Sequence, residues 1–236
     1  PLEQAIPTIP IDAIRAFLAS PRIITEDEYE ELPYIVRSGD GRLMMGEADL
    51  AYVRATDDGP QVRESRYNVI RLGDEYEDPV TGEELGYEAE EIASGIIRQT
   101  GDPSILLITD SNIEALRGDR LIPAEDDDIR TNFIPHAPAD EIEGQIIDVI
   151  DGVSNIGQYQ IVTLNRGARD GLEAGHVLDI YQRGKEIDDE VEGGSIRLPD
   201  KQAGTLMIFR ADDRVSYGLV MEAFSEIHLL DIVRNP

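Results

Sequence analysis

The chain runs twice through one pattern, and that repetition limits its fold more than any other feature. Residues 67–123 read as a strand (YNVIR), a turn around DPVTGEELG, a further strand, Gly101-Asp102, an apolar strand (ILLIT) and then IEALRGDRLIP. Residues 176–236 read as VLDIY, an acidic loop ending in LPDKQAG, LMIFR, a turn near Asp212-Asp213, YGLVMEA and then IHLLDIVRNP. Both copies close on an Ile, an Asp a few residues later, an apolar residue two beyond it and a Pro. A repeat of this size means duplicated modules. Short strands with Gly turns between them, and little helix, predict small closed or nearly closed barrels. Closure also hides sheet edges that would otherwise recruit other chains. The expected class is mainly β: two related small β-barrel-like modules with a short helical N-terminal segment.

The boundaries follow from changes in pattern. Residues 1–33 form the helical segment. IPIDAIRAFLAS places Ile11, Ile14, Phe17 and Leu18 at helical spacing, and Ser20-Pro21 ends it. TEDEYEEL follows, with Thr25 as N-cap and acids in the first turn, where the helix dipole favours them. Residues 34–123 form the first β module, opening on YIVRS, RLMMG and LAYVRA, with DDGPQ (57–61) as a loop. Residues 124–141, acidic and Pro-rich, form a linker, and 142–236 form the second barrel-like module.

Composition excludes several functions. The net charge of −28 opposes nucleic acid, whose binding needs a Lys/Arg surface, and opposes an anionic lipid surface. No apolar run approaches the ~18–20 residues that span a bilayer. Without cysteine there is no disulfide, thiolate metal site or Cys nucleophile. Lys185 and Lys201 are the only lysines. Arg-favouring codon usage and adaptation to high salt both account for that bias. The chain begins PLEQAIP, with neither Met nor a signal peptide, and reads as a fragment or processed product.

No catalytic constellation stands out. GxSxG, SxxK, HExxH, a P-loop and a dinucleotide-binding turn are all missing. The acidic runs 126–128 and 188–190 lack the alternating ligands and Gly of a calcium loop. His136, His176 and His228 are scattered and read as packed or surface residues, with no metal or cofactor assigned. If the second barrel closes, His176 and His228 flank its terminal strands and can approach each other. The turn NRGARDG supplies the candidate interaction residues Arg166, Arg169 and Asp170, and the linker supplies His136. Gly167, Gly171 and Gly175 are read as turn residues at positive φ. Gly118, Asp119 and Asp231 are read as structural turns closing the two copies.

QYQIVTLNRGARDGLEAGHVLDIY, followed by RLPDKQAGTLMIFR, VSYGLVMEA and IHLLDIVRNP, resembles the C-terminal region of bacterial LysM-domain envelope proteins. AIPTIPIDAIRAFL and LPYIVRSGDGRLMMGEADLAYVR resemble the middle of the same proteins. The resemblance implies a periplasmic location in the bacterial cell envelope, with peptidoglycan bound through a LysM module outside this chain. YNVIRLGDEY and NIEALRGDRLIP are similar to a LysM opening and ending. The two short helices a LysM needs between them are replaced by DPVTGEELG and ILLIT, so no LysM is expected here. The expected role is non-enzymatic: binding an envelope protein partner, or self-association. The alternative is a cell-wall hydrolase or hydrolase activator with two carboxylates in an acidic cleft. A carbohydrate-binding role fits less well, because the chain has no Trp.

Overall fold

A computed structural model describes residues 23–55, 65–124, 134–150, 156–188 and 193–236. The helix expected at 11–18, the DDGPQ loop and the acidic run 126–128 lie outside them. The described residues divide into two compact units: those within 17–76 and 86–129, and those within 77–85 and 130–236.

The first unit opens with β1 (Ile23–Ile24) and α1 (Glu26–Glu31). Thr25 caps α1 in a capping box: Oγ1 accepts the Glu28 N–H at 3.3 Å, and Glu28 Oε2 accepts the Thr25 N–H at 3.0 Å. The strands that follow are β2 (Tyr34–Ser38), β3 (Met44–Met45), β4 (Leu50–Arg54), β5 (Arg66–Glu77), β6 (Glu84–Gln99), β7 (Ser104–Ser111), β8 (Ala115–Leu116) and β9 (Arg120–Pro123). Residues 65–124 contain no helix. The sheet order is β1-β6-β5-β9-β2-β4-β7, and β6 also pairs with β7, so six strands run in a closed cycle.

The second unit contains β10 (Glu143–Val149), β11 (Ile161–Leu164), β12 (Val177–Gln182), β13 (Glu186–Asp188), β14 (Ser195–Arg197), β15 (Lys201–Ala211), β16 (Ser216–Ala223) and β17 (Ile232–Arg234). Six of these close a barrel in the order β10-β11-β16-β15-β12-β17, while β13 and β14 form a separate hairpin. The two cycles are the same. Replacing β2, β4, β5, β6, β7 and β9 by β10, β11, β12, β15, β16 and β17, in chain order, turns one into the other. The duplication therefore also takes in 34–54 and 143–164, upstream of the motif that revealed it.

The match extends to single hydrogen bonds. Gly118 N–H donates to Ile35 O, and Leu230 N–H to Ile146 O, both at 2.8 Å. Asp119 Oδ2 accepts the Leu116 N–H at 2.8 Å, and Asp231 Oδ2 accepts the His228 N–H at 2.9 Å. Ala48 N–H reaches Ile108 O at 2.9 Å, and Tyr159 N–H reaches Val220 O at 2.8 Å. In each unit, strand alternation turns one set of side chains into the closed interior. Ile35, Val53, Val69, Ile92, Leu106, Ile108 and Leu121 fill the first. Ile146, Leu164, Leu178, Ile180, Leu206, Val220 and Val233 fill the second. The shared Asp and the apolar residue two beyond it thus have separate jobs. The carboxylate sets the turn, and Leu121 or Val233 enters the core. Among the described residues no helix is long and apolar enough to cross a membrane.

Asp119 does more than Asp231, because its carboxylate also grips Arg71 Nε and Nη2 at 2.8 and 2.7 Å. Asp119→Ala is expected to cost about 3 kcal/mol, stranding both a buried amide contact and a guanidinium. Asp231→Ala, stranding the amide alone, should cost about 1–2 kcal/mol. Denaturant unfolding of the two variants checks this order, and a reversed order would contradict it.

Candidate functional site

Features present in both copies are scaffold. Features present in only one are where function is sought, and the second unit holds two of them.

The first surrounds NRGARDG. Asn165 is fully buried. Its Oδ1 accepts the Gln145 N–H at 2.6 Å, and its Nδ2 donates to Asp78 Oδ2 at 3.0 Å. Arg166 Nη1 meets the same Asp78 oxygen at 2.9 Å, and Arg166 Nε reaches Glu143 O at 2.9 Å. Asp78 Oδ1 in turn accepts the amides of Val80 and Thr81 at 2.8 and 3.1 Å, closing the turn DPVTGE on itself. Arg169 forks onto Glu83 at 2.6 and 2.9 Å. The 78–83 turn is therefore a plug, and the 165–169 segment is its socket. Arg166 and Arg169, expected to face a partner, are occupied within the chain. Asp170 Oδ2 accepts the Gly167 N–H at 2.9 Å and braces the turn.

The expectation of positive φ holds for Gly171 (90°) and Gly175 (103°) but not for Gly167 (−133°). Gly167 is required by closeness instead. A Cβ there would lie 2.4 Å from Asp213 O and 2.5 Å from Asp212 O.

The second feature is a cluster of His136, Glu173 and His176. The His136 N–H donates to Gly175 O at 3.0 Å, and the Val177 N–H donates to His136 O at 2.9 Å, so the 134–137 segment lies alongside the start of β12. It is His136, not His228, that meets His176, with ring centroids 4.6 Å apart and edge to face. His228 instead has Glu226 Oε2 3.8 Å from its Nε2. His136 Nδ1 donates to Ile134 O at 2.9 Å, and its Nε2 lies 3.1 Å from Glu173 Oε1. Those two partners hold the His136 imidazolium above the ordinary histidine range. Burial, and then the charge on His136, push His176 below it. Glu173 and His176 were missed as partners because no local spacing joins them to residue 136. The Gly before His176 was the one usable signal.

Asp78, Glu83, Asp119 and Asp200 are tied to arginines. A scan of family models and a search of curated proteins return no match for this chain.

Burial raises the Asp78 carboxyl, but the Val80 and Thr81 amides and the Arg166 guanidinium outweigh it and leave the group below the ordinary range. A depressed carboxyl stabilises the fold fully above the unfolded Asp value, about 3.9. That stability is lost as pH falls through the lower folded value. Asp78→Ala should cost about 3 kcal/mol at neutral pH. Asp78→Asn should flatten the acid limb of the stability–pH curve. Arg169→Ala, at an exposed pair, should cost less than Asp78→Ala. Melts from pH 2 to 7 check all three.

Proposed function

We propose that this chain is the non-enzymatic interaction region of a bacterial envelope protein, beside a peptidoglycan-binding LysM module located elsewhere in that protein. The resemblance in 153–181 and 199–236 supports the setting. The observation that carries the interaction role is backbone strain under an exposed apolar side chain. Leu230 holds a φ of 69°, where L-residues are disfavoured, and remains 53% exposed. Tyr159, 48% exposed, shares its left-handed φ of 66° with its counterpart Ala48 at 68°. At the position of Leu230 the first copy has Gly118, which adopts φ 98° freely. A strained, exposed Leu gains nothing for the fold, and such outliers gather at binding sites.

Phe224 and Leu229 are exposed on the same β16–β17 connection as Leu230. The Ile156 N–H donates to Ile227 O at 2.9 Å, tying that connection to the β10–β11 loop that bears Tyr159. The charge of −28 repels a second copy and attracts a basic surface. The partner is therefore a protein with an apolar contact face rimmed by Lys and Arg.

Leu230→Gly separates this role from a structural one. It should leave stability unchanged or raise it by up to about 1 kcal/mol. It should also abolish salt-sensitive crosslinking from a photoreactive residue at position 224 to a basic envelope protein. A monomeric chain that crosslinks nothing, equal crosslinking by Leu230→Gly, or dye release from labelled sacculi would each overturn the proposal.

A further inference from the structure

We propose that His136, Glu173 and His176 form a transition-metal site of the zinc class, with three protein ligands and one position left open. Their donor atoms all lie within 4.8 Å of one another. Glu173 Oε1 is 3.1 Å from His136 Nε2 and 3.6 Å from His176 Nε2. A tetrahedral zinc with bonds of about 2.0–2.1 Å sets its donors about 3.3–3.4 Å apart. The two Glu173 separations bracket that value, and the two imidazole nitrogens, within 4.8 Å of each other, close around the cation. Two imidazoles with one carboxylate select zinc, cobalt or nickel over calcium or magnesium, which prefer all-oxygen sets.

The surroundings favour the same use. His136 Nδ1 donates to the Ile134 carbonyl at 2.9 Å, the outer contact that orients a metal-bound imidazole and leaves Nε2 for the ion. His176 is buried, with its side chain 6% exposed, while Glu173 and His136 are open at 70% and 44%. One ligand is thus anchored in the barrel wall and two face incoming solvent. Gly175 makes the approach possible, since a Cβ there would lie 2.8 Å from Ile134 O and 3.0 Å from His136 Cε1. The first unit contains no histidine, so the cluster was added to one copy of a duplicated scaffold.

Binding moves protons in a defined way. In the free protein His176 Nδ1 accepts the Glu173 N–H at 3.2 Å, which places the ring proton on Nε2. A cation on Nε2 shifts that proton to Nδ1, and the Glu173 amide turns to solvent. At His136 the cation replaces the Nε2 proton, which is released to buffer. The ion then fastens the 134–137 segment to the entry of β12.

The test uses the whole chain with Zn²⁺ or Co²⁺ alone, in high salt to screen the acidic surface. Titration calorimetry should show one ion per chain, with protons released. Co²⁺ should give the visible bands of tetrahedral coordination. The ring ¹⁵N signals of His136 and His176 should move while His228, the third and last histidine, stays put. His136→Gln and Glu173→Gln change exposed side chains, so both should melt like the parent without metal and bind at least about tenfold more weakly. Absence of saturable binding, equal competition by Ca²⁺, equal shifts at all three histidines, or unchanged affinity in both variants would each overturn the site.

Discussion

The carboxylate of an aspartate at the return turn is the constraint on which both barrels depend. Asp119 and Asp231 each bind the amide three residues upstream and so fix where the last strand begins. That strand must pair on both sides at once: β9 with β5 and β2, β17 with β12 and β10. A one-residue slip would turn Leu121 or Val233 out of the core and break both pairings. The turn therefore sets register for the whole ring, which is why the Asp and the apolar residue two beyond it are visible in both copies.

How each copy differs from the other is as informative as what they share. The first spends its return turn on a glycine and a buried Asp119–Arg71 pair. The second puts Leu230 in the left-handed position and, among the described residues, holds its aspartate without an arginine. Its Asp231 carboxyl is raised by burial, the opposite sense to Asp78. One copy keeps a glycine at its return turn, and the other carries the left-handed Leu230, a plug-and-socket contact and the only histidines. Duplication allows this division of labour, because one barrel can keep the fold's simplest solution while the other accumulates features with a cost.

The sequence made the strand pattern legible because alternation and Gly turns are local signals. Thr25 was legible as an N-cap for the same reason, since the cap and its partner Glu28 lie three residues apart. The repeat was read from strong matches such as DRLIP and DIVRNP, yet its upstream half escaped notice. YIVRS and QIIDV share only a pattern of burial. The turn Arg166–Gly171 was recognised as special, but the partner of Arg166 sits 88 residues away at Asp78, and nothing local says that an arginine's anion lies in the same chain. The His136–His176 pairing was hidden likewise, because a parallel bridge across a linker leaves no spacing to read. Gly167 was assigned the right importance for the wrong cause: contact with the carbonyls of Asp212 and Asp213, not backbone handedness.

The plug at 78–83 makes the second barrel a discontinuous object. Its socket closes around residues made long before the strands that surround them, so the nascent chain must carry the 78–83 turn unmatched until Asn165 and Arg166 emerge. A gene cut at the linker would yield a C-terminal half with a buried asparagine and an arginine facing an empty notch. Recombination that swaps one barrel for another would inherit the same defect. The two halves of this duplicated protein, alike in topology, are for that reason no longer separable as units of inheritance.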